Sequence, residues 1–152
     1  MTAPIVVSRE FRHGASELFA AWGAAAALLE WFGESGSRVV ALTQDFRPGG
    51  AYRVETLDPE GVPVVTEGLY LEIGAPRRVV ATWHWTRGAE RPGEETTVTV
   101  SFTGTPGHGE ITVVHEGLPA AEARRHALGW GRALDGVAAY LDEIVTEAPS
   151  PR

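Results

Sequence analysis

No cysteine occurs among the 152 residues. Disulfides are therefore excluded, and with them thiolate nucleophiles and thiolate metal sites. Lysine is missing as well: all 13 basic residues are arginine, which reads as compositional bias rather than as function. Against 20 acidic residues this leaves a net charge of −7. That is the wrong sign for a phosphate backbone or an anionic lipid surface, so neither nucleic acid nor membrane is an expected partner. No apolar run approaches the ~20 residues of a membrane-spanning helix. The opening MTAPIVVSRE has no basic segment followed by a long apolar core and does not read as a secretion signal. A cytoplasmic protein is the expectation. The five histidines show no HxH, HxxxH or HExxH spacing, and no Gly-x-Ser-x-Gly occurs. Neither a metal centre nor a serine triad is predicted, and no cofactor is expected.

What is present is a run of short β-rich segments between helical ones. Residues 5–11, IVVSREF, read as a first strand, with Ile5, Val7, Arg9 and Phe11 on one face. Residues 15–22 and 24–32 read as two short helices divided by Gly23. Six further strands are predicted at 38–46, 51–57, 62–73, 77–85, 96–102 and 110–116. They are separated by turn chemistry: RPGG at 47–50, DPEG at 58–61, GAP at 74–76, a polar loop at 86–95 and TGTPGHG at 103–109. RPGG is not a phosphate cradle, because it lacks GxGxxG spacing and a following helix; its glycines suit a sharp hairpin or bulge. From Ala120 to Glu147 one long helical pattern puts Ala123, Ala127, Trp130, Leu134, Val137, Leu141 and Ile144 on a single stripe. The expected fold is α+β: a curved antiparallel sheet of six or seven strands gripping the C-terminal helix, whose apolar stripe needs that face. Residues 1–147 form one domain, and 148–152 should fray.

Six segments in this order carry a family resemblance: FRHGASELFAAW, EWF, DFRPGGAYRVE, GLYLEIGAPRRVVATWHW, ITVVHEG and HALGWGRALDGVAAYL. Together they resemble the Activator of Hsp90 ATPase homologue 1-like family of the START-like (SRPBCC) superfamily, from about Ile5 to Leu141. The most specific pieces are RPGG before a strand, the Trp83/Trp85 pair and the Gly-Trp of the last helix. The resemblance implies a helix-grip fold with a cavity between sheet and long helix. It does not imply one activity, since such proteins bind hydrophobic ligands, act as cyclases or hydroxylating-complex components, or bind chaperones. The eukaryotic co-chaperone that names the family has a further N-terminal domain, whereas the first strand here is predicted at residue 5. Hsp90 activation is therefore not expected to carry over by name.

The candidate site follows from alternation. Trp83 and Trp85 share a face with Val79 and Ala81, while His84 points the other way. They either pack a core or line a cavity. His115 alternates with Ile111 and Val113 and should point inward, as a hydrogen-bonded core group or as a polar contact for a ligand. Trp130 is flanked by Gly129 and Gly131, a costly pair in mid-helix that close approach of sheet or ligand would explain. His126, one turn before Trp130, is expected as a solvated surface residue, or near the cavity mouth if the stripe reading holds. Arg9, on the apolar face of the first strand, either pairs with an inward carboxylate or marks a different strand register. The expected ligand-binding residues are Trp31, Phe32, Trp83, Trp85, Val113, His115, Trp130 and Leu134. The first reading is a binding protein for a small apolar or aromatic molecule. Two alternatives stand beside it: a cyclase- or hydrolase-like enzyme using His115, and an interaction module forming a homodimer or a chaperone contact through the Ala-rich second helix.

Overall fold

The structure, a computed structural model, describes residues 4–24, 38–88 and 95–147, with side chains to residue 142. The elements run β1 (Ile5–Phe11), α1 (Ala15–Gly23), β2 (Arg38–Gln44), β3 (Ala51–Leu57), β4 (Pro63–Gly74), β5 (Arg78–Arg87), β6 (Thr96–Thr105), β7 (His108–Glu116) and α2 (Ala120–Glu147). The strands form one antiparallel sheet in the order β1-β7-β6-β5-β4-β3-β2. From β2 to β7 each strand pairs with its successor, and β1 closes the far edge against β7. Bulges between Val39 and Ala41 and between Tyr70 and Glu72 bend the sheet on the β2–β4 side. Among the described residues no helix is long and apolar enough to cross a membrane.

Several strand boundaries differ from the sequence expectation by one to three residues, and two of the shifts have a local cause. TGTPGHG is mostly strand: β6 runs on to Thr105, which faces His108, and only Pro106 and Gly107 are left to turn the chain. Gly107 does so at φ +87°, where a side chain would be strained. β5 likewise extends to Arg87, because the Arg87 guanidinium reaches back to Asp58 at 2.8 Å. Asp58 in turn accepts the backbone N–H groups of Glu60 and Val62, which holds the DPEG turn. Of the second predicted helix, Ala24 is extended and the rest lies outside the described residues.

The buried face follows the period of two. Thr96, Val98, Val100 and Phe102 of β6 and Ile111, Val113 and His115 of β7 all point inward. Trp130, Ala133, Leu134, Val137 and Leu141 of α2 close over them. Arg9 reaches a carboxylate on α2, but an exposed one rather than the inward one expected. Its Nε lies 3.4 Å from Asp135, and its Nη1 donates to the Leu134 carbonyl at 3.1 Å. Buried His13 joins the helices, with Nδ1 at 3.1 Å from Glu17 and Nε2 at 3.3 Å from Asp142.

The close approach expected at the helix glycines is not found. A methyl group added at Gly129 or Gly131 meets nothing within 4 Å among the described residues. With no contact to lose, Gly129→Ala and Gly131→Ala should each raise stability by about 0.5–1 kcal/mol through helix propensity alone. The measurement is a urea midpoint that rises at unchanged slope. A fall would show that the space beside Trp130 is occupied.

Candidate functional site

Three indoles meet on the inner face. Trp22 of α1 stacks on Trp130 of α2 at 6.0 Å between ring centroids, and Trp83 of β5 tilts against Trp130 at 5.0 Å. The apolar stripe of α2 turns Trp130 inward, where it meets Trp83 from β5 and Trp22 from α1. Trp85, two residues on, is half-buried and contacts His126 at 4.5 Å. His126 is thus not the surface residue expected. Its Nδ1 donates to the Glu122 carbonyl at 3.1 Å, its ring stands 5.4 Å from His115, and burial lowers its pKa.

His115 is 1% exposed and has both ring nitrogens engaged. The indole N–H of Trp130 can only donate, so at 3.0 Å it assigns Nδ1 as the acceptor. The ring proton is then on Nε2, which donates to Thr96 Oγ1 at 2.7 Å. Thr96 passes its own proton to the Trp83 carbonyl at 2.7 Å. The relay is complete and neutral. Burial, and secondarily the neighbouring His126, push the His115 pKa down to about 3. A general base needs a free lone pair beside its substrate; His115 has spent its lone pair on Trp130. The geometry suits a positioning group for two indoles rather than an acid–base catalyst.

The void lies beside this relay rather than within it. A cavity of about 40 Å³ opens on the concave face, walled among the described residues by α1 and by β2 to β6. Trp22 and Trp83 are among its lining residues, and Tyr52, Tyr70 and Gln44 supply its polar lining. Of the residues expected to line a cavity, Trp83 does so. Val113, His115, Trp130 and Leu134 are buried core residues outside the lining described, and Trp85 sits against His126. Trp31 and Phe32 lie outside the described residues. Two wider clefts, of about 560 and 550 Å³, are open surface features, near Arg77 and near Arg12 respectively.

Local sequence explains why the tyrosines reach this place. Tyr52 pairs across the sheet with Gly68. A side chain on Gly68 would meet the Thr82 carbonyl at 2.1 Å, and its absence lets the Tyr52 ring cross β4 so that its hydroxyl donates to Thr82 O on β5. Tyr70 is set by the RPGG turn: Gly49 N–H donates to the Tyr70 carbonyl at 2.7 Å, and Tyr70 N–H to the Gly50 carbonyl at 2.8 Å. Gly49 makes that turn at φ +82°. Tyr70 then donates to Gln44 Oε1 at 2.8 Å, while Gln44 Nε2 donates to the Gly23 carbonyl at 2.6 Å, tying the sheet edge to the end of α1.

This arrangement has relatives. The model of the Activator of Hsp90 ATPase homolog 1-like family matches residues 12–142. The chain belongs to that family. Among solved structures, the AHSA1 protein SPO3351 of Silicibacter pomeroyi is 28% identical, with a TM-score of 0.80 over 92% of this chain and 98% of that one. CV1439 of Chromobacterium violaceum is 26% identical, with a TM-score of 0.79 over 91% of this chain and 97% of its own. DynU16, from the dynemicin biosynthetic locus, shares the fold at 19% identity and a TM-score of 0.73; the match covers 93% of this chain and 48% of DynU16. No curated protein matches the sequence. The seven-stranded sheet with its C-terminal helix is thus the AHSA1/START-like fold.

Proposed function

We propose that this AHSA1-type domain binds a small, largely apolar molecule on the concave face of its sheet, beneath Trp22 and Trp83. One observation carries the reading: a void bounded by aromatic and aliphatic side chains is also lined by three polar ones, Gln44, Tyr52 and Tyr70. Ligand sites have that composition, a mostly apolar wall with a few placed polar atoms. At about 40 Å³ the cavity holds roughly a water molecule. A larger ligand therefore has to displace side chains that line it, the indoles of Trp22 and Trp83 among them, and tryptophan fluorescence should report its arrival.

Native mass spectrometry of the protein purified from the organism that makes it tests the reading. The expected spectrum shows a mass excess that leaves on denaturation. The bare polypeptide mass, both as purified and after incubation with a mixture of small aromatic and aliphatic compounds, would overturn the proposal.

A further inference from the structure

We infer that the cavity selects for a hydrogen-bond donor: its ligand presents a neutral hydroxyl or amine at the end of an apolar body, and a carboxylate is turned away. This rests on the cavity being a ligand seat and adds the chemistry of what sits there.

The selection follows from where the protons already are. The Tyr52 hydroxyl donates to the Thr82 carbonyl, which can only accept. Gln44 points one end at the Gly23 carbonyl, 2.6 Å away and also acceptor-only, so that end is the amide nitrogen. Its oxygen therefore faces the Tyr70 hydroxyl at 2.8 Å, and Tyr70 must donate. Both phenol protons are thus committed to the protein. Each phenol oxygen keeps lone pairs and has no proton to offer a ligand. The two rings lie 5.2 Å apart by their centroids, and both line the void. The amide of Gln44 retains a single uncommitted N–H. Burial raises the pKa of both tyrosines, which keeps the hydroxyls neutral. The remaining wall is aliphatic, including Val54, Val79 and Val100, and no arginine or histidine is among the lining residues described. An anion placed there would face two acceptors with no cation to balance it, and burying it would be strongly unfavourable. A neutral O–H or N–H meets the lone pairs directly. The void has room for such a head group, and the ring it belongs to would lodge against Trp22 and Trp83.

The test uses four ligands built on one ring: phenol, aniline, toluene and benzoate. Each is titrated into isotope-labelled protein while the tryptophan indole N–H resonances are followed. Toluene is the more apolar isostere of phenol, so burial alone would rank toluene first. The expected result reverses that order: phenol and aniline bind on the order of tenfold tighter than toluene, the worth of one hydrogen bond, and benzoate binds more weakly than either. Tyr52→Phe should shrink the phenol-over-toluene preference while leaving toluene binding in place. If that variant does not fold, the wild-type series decides by itself. Toluene binding as tightly as phenol would overturn the donor inference and leave the cavity a ligand seat. If none of the four ligands moves an indole resonance, both readings fall together.

Discussion

Trp130→Ala is expected to cost about 3–5 kcal/mol, the range for emptying a buried aromatic site. That is a large fraction of the 5–15 kcal/mol typical of a domain's whole stability. Two effects combine here, and a second substitution separates them. Trp130 fills the space between Trp22 and Trp83, and it is also the donor to His115 Nδ1. Trp130→Phe keeps most of the volume and removes the donor. It leaves a lone pair in a residue 1% exposed with nothing to bind, which costs about 1–3 kcal/mol. In a His115→Leu background no lone pair is left, and the same Trp130→Phe change should cost markedly less. The difference between the two backgrounds, read by urea denaturation, is the coupling across this one hydrogen bond. A Trp130→Phe cost below about 0.5 kcal/mol in the wild-type background would mean that the indole only fills space.

How much of this site the sequence discloses depends on the range of the interaction. The inward placement of His115 and Trp83 is legible because alternation is a local property of one strand, and the stripe of α2 is legible for the same reason. The partners of His115 are not. Trp130 lies 15 residues away and Thr96 lies 19 away, on different elements. The polar lining of the void is not legible for a similar cause. Tryptophans at 83, 85 and 130 stand out in a strand and a helix, while Tyr52 and Tyr70 read as ordinary strand residues. Their role depends on the register that sets Tyr52 opposite Gly68, and a shift by a single residue would turn every side chain of β3 to the other face. One signal was available: a glycine inside a predicted strand marks close backbone approach, and Gly68 is such a glycine. What it admits is a ring from the neighbouring strand, which no single-strand pattern reveals.

Stability should fall by roughly 2.5–3 kcal/mol between pH 7 and pH 4.5 on account of His115 alone. Unfolded, the imidazole titrates near its ordinary value of 6.5; folded, burial holds it at about 3. Above pH 6.5 both states are neutral and the group contributes no slope. Between the two values the unfolded chain binds a proton that the native one refuses. Stability therefore rises with pH across this window, by up to about 1.4 kcal/mol per unit, and is lost as acid is added. His126, also lowered by burial, adds in the same direction. Asp58 acts lower on the scale. The backbone N–H of Val62, foremost, holds its pKa down, so its contribution is lost only as pH falls below the ordinary carboxylate range. Urea denaturation at pH 7.0, 5.5 and 4.5 therefore samples the histidines before that carboxylate titrates. His115→Gln supplies the control, because a glutamine can accept from Trp130 and donate to Thr96 yet takes up no proton. Its stability should depend on pH less steeply than the wild type, by about one proton over this interval. Parallel curves for the two proteins would show that folded His115 takes up a proton as readily as the unfolded chain does, and burial would then not be holding the relay from Trp130 to the Trp83 carbonyl neutral in acid.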